Sequence, residues 1–325
     1  MQHPVRARMR SLAASSIACA TVLTGWLSAE SAEALTPDER TAGASACVHP
    51  AGWEAVRSTG EARDHTLTAV QVRRLERRLG DRLAVLRDLP AAAPADPEVI
   101  RVPVVAHVLA PDADTVPIRR AGLTRQVDIL NRAFAGRQLD ATTQTPFWFR
   151  LRDSDLTINR SWYRSDYGTQ AEKNMKRALH VGGPETLNLY FVSPPGAPAT
   201  LGWATFPQST LRHERLDGVA VNVETVPGGA ATGYNLGDTA VHEVGHWLGL
   251  YHTFQGGCSR LNDRVTDTPE EAVPQYACDR GADSCTAPGL DPIHNFMDYS
   301  FDRCMRTFSD GQNDRMGLSW LAYRG

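Results

Sequence analysis

The sequence lacks a surplus of either charge. Its 34 Lys and Arg residues stand against 37 Asp and Glu, for a formal net charge of −3 over 325 residues. Because nucleic-acid-binding proteins usually carry a basic patch or stripe, this balance gives no support to a nucleic-acid partner. No stretch after the N-terminus approaches the roughly 20 apolar residues that a membrane-spanning helix needs. We therefore expect a globular protein with neither a nucleic-acid nor a membrane partner, and we expect a monomer.

The N-terminus has the pattern of an export signal. Three arginines between residues 6 and 10 precede the run SLAASSIACATVLTGWLSA, and small residues follow at Ala32 and Ala34. A basic region, an apolar region and an Ala-x-Ala pattern in this order are typical of a secretory signal peptide. We predict that residues 1–34 form this signal and that the protein is secreted. A buried N-terminal helix and a lipid anchor on Cys19 are the alternatives.

Cysteines are few, and most lie near the C-terminus. Of the six, Cys19 lies in the predicted signal peptide, Cys47 stands alone, and the other four lie between residues 258 and 304. An even local group in an exported chain is typical of disulfides. Four cysteines allow three pairings, and their spacing does not choose among them.

The region between the signal and the main domain, residues 35–97, is unlike the rest of the chain. It contains one amphipathic helix, predicted at residues 68–88, and then the Pro- and Ala-rich segment LPAAAPADPE. One helix with a linker cannot bury a core of its own. The region is therefore either an extension that docks on the main domain or a removable pro-segment.

Residues 98–325 begin with alternating strand and helix patterns. Helices are predicted at residues 117–136 and 169–183, and strands at 99–110, 146–158, 186–193 and 217–226. This alternation predicts an α/β sheet. In the last strand valines alternate with Ala, Asn and Glu, which favours a half-buried edge strand. From residue 256 to residue 300 the pattern gives way to an irregular segment.

Residues 242–252 read HEVGHWLGLYH and concentrate the chemistry of the chain. Asp238 is predicted to cap a helix here. On that helix His242 and His246, at i and i+4, lie on one face, where both imidazoles can bind one metal ion. Glu243 is the neighbour of the first histidine and is angled toward a metal-bound water. The alternative is a helix whose histidines are solvated or hydrogen-bonded in the ordinary way.

A third histidine follows after a glycine. His252 lies six positions beyond His246, and a continuous helix would point it away from the pair. The helix must end before His252 if all three are to meet, and Gly249 can take the positive φ that turns the chain. Three protein ligands leave a fourth position open, which is typical of catalytic zinc and not of structural zinc.

The spacing H-E-x-x-H-x-x-G-x-x-H resembles the zinc signature of the metzincin metallopeptidases. Downstream, NFMDYS places Met297 and Tyr299 where those enzymes have a methionine turn. The wider sequence GDTAVHEVGHWLGLYHTF, then DTP, then NFMDY flanked by cysteines, is similar to the pappalysin branch, most nearly its compact bacterial secreted members. The resemblance spans about residues 99–325.

The resemblance implies a fold and a set of roles. The fold is an α/β zincin domain with a twisted mixed sheet, an active-site helix and an irregular, disulfide-linked C-terminal subdomain. Zinc is held by His242, His246 and His252, and Glu243 is the general base for the zinc-bound water. Tyr299 hydrogen-bonds the oxyanion of the intermediate, with a structural tyrosine of the turn as its alternative.

Further features are implied by the same resemblance. Met297 forms a floor beneath the metal, and the edge strand from Gly218 to Val226 pairs with an extended peptide substrate. The disulfides are Cys258–Cys285 and Cys278–Cys304. Cys47 is the candidate ligand that keeps a zymogen silent, with a free or intermolecularly paired thiol as its alternative.

Two loops receive additional predictions. In SFDRCM, Asp302 favours a basic side chain after the scissile bond, unless Arg303 neutralises it. The loop SRLNDRVTDTPEE is a possible calcium site, since members of this branch bind calcium nearby and hard oxygen ligands suit that ion; an ordinary polar turn is the alternative. Its candidate ligands are Asn262, Asp263, Thr266, Asp267 and Thr268.

The function predicted from the sequence is that of a secreted zinc endopeptidase. It would hydrolyse peptide bonds of extracellular proteins and be made as a zymogen. The alternative is a zinc-containing extracellular binding or adhesion module with weak or no catalysis. The presence of Glu243 argues against that alternative, because inactive relatives commonly lose this residue while they keep the metal ligands.

Overall fold

A computed structural model of the chain describes residues 6–8, 67–87, 99–196 and 200–325. The strands are β1 (Arg6–Arg8), β2 (Ile100–Ala110), β3 (Phe147–Ile158), β4 (Leu187–Val192), β5 (Gly202–Ala204) and β6 (Val219–Asn222). The helices are α1 (Ala69–Arg87), α2 (Arg120–Phe134), α3 (Arg160–Tyr163), α4 (Gln170–Leu179), α5 (Thr210–His213), α6 (Asp238–Trp247) and α7 (Asp310–Tyr323). In this described part of the chain, no helix combines the length and apolar character needed to cross a bilayer.

The strands form one mixed sheet in the order β1-β3-β2-β4-β6-β5. Strands β3, β2, β4 and β6 are mutually parallel, whereas β1 and β5 run antiparallel to their neighbours. The strand β1 lies within the predicted signal peptide. The central strands are buried runs of Val, Leu and Phe, as expected for a sheet that is covered on both faces.

The core lies mainly on one face of the sheet. Alternate residues of β2, such as Val104 and Val108, point to this face, over which α2 and α6 pack. On the opposite face Leu109 contacts a smaller cluster, in which α4 contributes Met175 and Leu179. The sheet thus lies between helices, and it supports α6 along its buried length. The α/β class predicted from the sequence is confirmed.

The predicted edge strand lies inside the sheet. All four residues of β6 are buried, between β4 on one side and β5 on the other. The edge is formed by β5, a strand of only three residues that sequence analysis did not find. The prediction was wrong because Asn222 is polar and yet buried: its side-chain amide donates a hydrogen bond to Thr200 O at 3.1 Å. The alternation of valines with other residues therefore did not indicate which side chains of this strand are exposed.

The C-terminal part is irregular, as predicted, until the last helix. Residues 248–309 contain no regular helix or strand. Helix α7, absent from the sequence predictions, begins with a capping box formed by Ser309 and Gln312. Its end supports α6, because Arg324 stacks on the Trp247 ring at 3.5 Å and forms a buried ion pair with Asp217 at 2.8 Å.

Helix α1 packs on the main domain. Leu79 is buried against Ala322 and Tyr323 at the end of α7. Glu76 pairs with Arg315 of the same helix at 2.6 Å. The predicted helix at residues 68–88 is therefore present, and its buried side is provided by the domain that follows it.

Candidate metal centre

Helix α6 carries the first two histidines of the motif, and every residue of this helix is buried. The Nδ1 atom of His242 donates to Phe296 O at 2.6 Å, and that of His246 donates to Leu250 O at 2.8 Å. A carbonyl can only accept, so each of these rings carries its proton on Nδ1. Each Nε2 is therefore left with a lone pair, which is the form that binds a metal.

The chain reverses at Gly249 as the sequence predicts. Helix α6 ends at Trp247, and Gly249 adopts φ +99°. A Cβ atom at this position would collide with the hydroxyl of Ser319, so glycine is required by conformation and by space. The carbonyl of Gly249 accepts a hydrogen bond from Arg315 Nε at 2.9 Å, which anchors the turn to α7.

The turn returns His252 to the other two histidines. Its Nε2 lies 2.9 Å from Nε2 of His246 and 3.2 Å from Nε2 of His242, and the last two are 3.1 Å apart. Zn–N bonds of about 2.0–2.1 Å in tetrahedral geometry place ligand nitrogens about 3.4 Å apart. Lone pairs this close repel unless a cation lies between them. The donor set therefore fits one small metal ion, and these three residues can hold it.

Glu243 lies against the edge of the sheet. Its side chain lines one pocket together with His246, His252, Gly202 and Tyr251. A Cβ atom added to Gly202 would lie 2.8 Å from Glu243 Cγ and 3.0 Å from its Oε1. The absence of a side chain at residue 202 is thus what lets the edge strand approach this carboxylate.

The methionine turn passes beneath α6. Met297 is fully buried, and its sulfur contacts Gly245, where a Cβ atom would overlap it. The carbonyl of Met297 accepts a hydrogen bond from Thr253 N at 3.2 Å, one residue after the third histidine. Met297 therefore has the packing role under the histidines that the resemblance implies.

Tyr299 lies beside the histidines. Its hydroxyl is 3.2 Å from Nε2 of His252, and its ring centroid is 5.1 Å from that of the same imidazole. The backbone of Tyr299 is held by Tyr234, whose hydroxyl donates to its carbonyl at 3.0 Å. The structure thus brings together all five site residues named from the sequence, namely His242, Glu243, His246, His252 and Tyr299.

Asp302 does not face a substrate pocket, and that prediction is wrong. The residue is 3% exposed, and its Oδ2 accepts backbone hydrogen bonds from Leu236 at 2.7 Å and Gly237 at 3.1 Å. Gly237, with φ +102°, is the N-cap of α6, and Asp238 is the first residue of the helix rather than its cap. Burial raises the pKa of Asp302 to about 6. This carboxylate therefore ties the segment after the methionine turn to the start of α6.

Two disulfides cross-link the irregular segment. They join Cys258 to Cys285 and Cys278 to Cys304, with Cα–Cα distances of 5.4 Å and 5.8 Å. The pairing implied by the resemblance is thus present. Cys47 lies outside the described residues.

Two buried carboxylates near this segment, Glu271 and Asp298, were missed by sequence analysis, whereas Asp263 was named there as a calcium ligand. Glu271 is fully buried, and neither of its carboxylate oxygens has a partner with good hydrogen-bond geometry among the described residues, although the Thr253 side chain approaches it. Burial, and then the nearby charge of Asp298, raise the pKa of Glu271 to about 9. Burial likewise raises the pKa values of Asp298 and of Asp263 to about 7. The repeated acids of TDTPEE were the only sequence signal for Glu271.

The predicted calcium ligands are divided by the structure. Asp267 accepts hydrogen bonds from Ser309 Oγ at 2.7 Å and Gly311 N at 2.8 Å, so it serves the start of α7. In contrast, Asp263 and Thr268 are both buried, and the Thr268 hydroxyl interacts with the Asp263 carboxylate.

Comparisons with known proteins agree with this site. The model of the M43 peptidase family, described as pregnancy-associated plasma protein-A, matches residues 185–319. An extracellular metalloprotease of Neurospora crassa is 44% identical over 206 residues, which cover 62% of this chain and 67% of the relative. An extracellular metalloprotease of Pyricularia oryzae is 45% identical over 207 residues, or 63% of this chain and 68% of the relative.

Solved structures of the metzincin mirolysin from Tannerella forsythia share the fold. Mature mirolysin in complex with a cleaved peptide is 25% identical with a TM-score of 0.59, covering 71% of this chain and 97% of mirolysin. A promirolysin mutant is 23% identical with a TM-score of 0.61, covering 83% of this chain and 92% of that protein. With a histidine cluster that can hold a metal and relatives covered over two thirds of their length, this chain belongs to the pappalysin (M43) family of metzincin metallopeptidases.

Proposed function

We propose that this protein is a secreted zinc endopeptidase that hydrolyses peptide bonds of extracellular proteins. The observation that carries the proposal is the convergence of three histidine Nε2 atoms in a pocket that Glu243 also lines. Secretion is supported by the N-terminal signal pattern and by relatives named extracellular metalloproteases.

Zinc, when bound by His242, His246 and His252, supplies a Lewis acid that polarises a carbonyl oxygen and lowers the pKa of water. Glu243 accepts a proton from the attacking water and passes it to the amine that leaves. Tyr299, with its hydroxyl beside the third histidine, donates a hydrogen bond to the oxygen on which negative charge develops.

The substrate is bound in extended form along β5, and not along the strand proposed from the sequence. One side of β5 is hydrogen-bonded to β6, and the other side is the edge of the sheet. A peptide added to this edge passes Gly202, which lies against Glu243. Strand addition of this kind recognises backbone, so it suits an enzyme that cuts protein chains.

The segment at residues 35–97 is proposed as the pro-segment of a zymogen. Leu67 lines the same pocket as Glu243 and His252, and its carbonyl accepts a hydrogen bond from Gln255 at 2.9 Å. Leu67, just before α1, therefore lies near the histidines, as a residue of a pro-segment that covers the cleft would. The assignment of Cys47 as a latency ligand is retained as part of this proposal.

The Glu76 carboxylate connects α1 to the catalytic part of the chain. It pairs with Arg315 at 2.6 Å and accepts a hydrogen bond from the Tyr251 hydroxyl at 2.8 Å. Arg315 and its hydrogen bond outweigh the effect of partial burial, so the pKa of Glu76 lies below its ordinary value. The contact is thus ionised at neutral pH and holds α1 on the domain.

Calcium is proposed as a second, structural ion near Glu271. A buried carboxylate that lacks well-formed hydrogen bonds is costly, and a hard divalent cation would satisfy it with oxygen ligands. Asp298, Asp291 and Asp263 are the candidates to share such an ion, since each interacts electrostatically with Glu271.

The test is the Glu243→Gln variant of the full chain after its natural processing. Cleavage of an unstructured protein should fall by about 10²–10⁴-fold, with zinc content unchanged by elemental analysis. The matched control is Glu214→Gln, because Glu214 is exposed and does not line the pocket. Equal cleavage by Glu243→Gln and wild type would refute the proposed chemistry.

A further inference from the structure

A buried ion pair lies behind the edge strand, outside the metal centre. Glu172 and Lys176, at i and i+4 on α4, approach to 3.0 Å, and their side chains are 8% and 2% exposed. Removing both charges from water costs free energy, and well-packed apolar residues in place of a buried ion pair often leave the protein equally stable. The pair therefore calls for a reason beyond stability.

Each member of the pair bonds the edge-strand segment. Glu172 Oε1 accepts a hydrogen bond from the Trp203 indole at 2.7 Å. Lys176 Nζ donates to the Thr205 hydroxyl at 3.2 Å. Residues two apart on a strand lie on the same face, so the pair holds this segment at two points from one side.

The opposite face of β5 meets the proposed catalytic base. Gly202 lies so near Glu243 that an added Cβ atom would be 2.8 Å from Cγ. Strand β5 itself has only three residues, each paired with β6, so its backbone ladder gives limited rigidity. The contacts that hold Trp203 and Thr205 from behind therefore add to the pairing with β6 and to the bonds of Thr205 with Leu216 O and Gly218 O in positioning this strand.

We propose that Glu172 and Lys176 are positioning residues. They hold the edge strand β5 at the distance from Glu243 at which a peptide bound to β5 passes this carboxylate. The inference rests on the proposed function, because it takes β5 as the strand to which substrate is added. The pair does not touch the substrate. It acts through Trp203 and Thr205, and a misplacement of about 1 Å in a bound chain can cost 10²-fold in rate.

The test compares two substrates of different length in the processed full chain. A long peptide can pair with the whole of β5, whereas a short blocked peptide reaches only the metal site. For Lys176→Met we expect kcat/KM for the long peptide to fall about tenfold or more, mainly through KM. The short peptide should change less than about threefold, and zinc content should stay at the wild-type level.

Two further variants separate positioning from folding. The matched control is Lys173→Met, the same substitution at a partly exposed position of the same helix, which should leave both substrates unaffected. The double variant Glu172→Gln/Lys176→Met removes both buried charges and keeps an acceptor for Trp203, so its melting temperature should recover toward wild type. Its KM for the long peptide should stay raised, because the bond to Thr205 is still missing.

Several results would overturn the inference. One is an equal loss of kcat/KM on both substrates in Lys176→Met. Another is a KM for the long peptide that returns to the wild-type value together with stability in the double variant. A third is that Lys176→Met behaves like Lys173→Met. Failure of the proposed function would be seen in a different variant. If the proposed function is wrong, Glu243→Gln would still cleave the long peptide, whether or not Glu172 and Lys176 are intact.

Discussion

The turn at Gly249 gives the sharpest prediction, because two independent effects oppose any side chain there. In Gly249→Ala the new Cβ must adopt φ near +99° and must also enter the space of the Ser319 hydroxyl. The residue lies between the second and third histidines, so relief of either effect moves His252 away from the other two ligands.

The magnitude follows from both effects. An alanine held at strained positive φ costs about 1–3 kcal/mol. Overpacking against the buried Ser319 costs about 1–3 kcal/mol more, so we expect the free energy of unfolding to fall by about 2–6 kcal/mol. If the chain relaxes by displacing His252, zinc affinity should fall by at least about 10–100-fold, which is what loss of a hydrogen-bond partner of a metal ligand typically costs.

The assay combines urea unfolding of the full chain with zinc competition against a chromophoric chelator. Gly317→Ala is the matched control, because Gly317 lies in α7 with nothing within 4 Å of an added Cβ atom. This helical position should gain about 0.5–1 kcal/mol. The double variant Gly249→Ala/Ser319→Gly removes the overlap and keeps the backbone strain, so it should recover about half of the lost stability.

Wild-type stability and zinc affinity in Gly249→Ala would refute the reasoning. Such a result would show that His252 reaches the metal without the left-handed turn. Recovery of full stability in the double variant would instead show that the overlap alone, and not the backbone, requires glycine.

Two further predictions concern α1 and the buried carboxylates. Glu76→Gln should weaken the contact of α1 with Arg315, so protease activity should appear sooner after secretion than in wild type. The matched control is Asp81→Asn, which changes an exposed acid on the same helix and should leave the time course as in wild type. An unchanged time course for Glu76→Gln in an activity assay would contradict this. Burial raises the pKa of Glu271 from its ordinary value of 4.5 to about 9 in the folded protein. Glu271 therefore contributes stability that is greatest at low pH and is lost as pH rises from about 4.5 to 9. In chelator-treated protein the melting temperature should therefore fall across this window, and calcium should reverse the fall. Glu271→Gln should remove the calcium response and lessen the fall, leaving the part that Asp298 and Asp263 contribute. A calcium response that persists in Glu271→Gln would place the ion elsewhere.

Much of the site could be predicted from sequence because it is local. His242 and His246 are one helical turn apart, and Gly249 is the only glycine between them and His252, so the geometry follows from helix periodicity and from the conformations open to glycine. Met297 and Tyr299 are distant in sequence, and only the resemblance to a family placed them beside the histidines.

The incorrect predictions concern residues whose surroundings come from elsewhere in the chain. Asp302 looked like an exposed loop acid, but the start of α6 presents backbone N–H groups to it. Strand β6 looked half exposed, but β5 covers its side. Single-sequence patterns do not reveal such partners, because burial of a polar residue depends on what folds over it.

The sequence by itself determined the candidate metal ligands, the proposed base, the turn that unites them and the alternation of helices and strands, since each depends on the conformation of a short segment. Only the tertiary structure decided which strand is the edge, what holds that strand from behind, and which carboxylates are buried. Those features arise where segments far apart in the chain exclude water from one another, and hydrogen bonds and charges then depend on neighbours that no local pattern specifies.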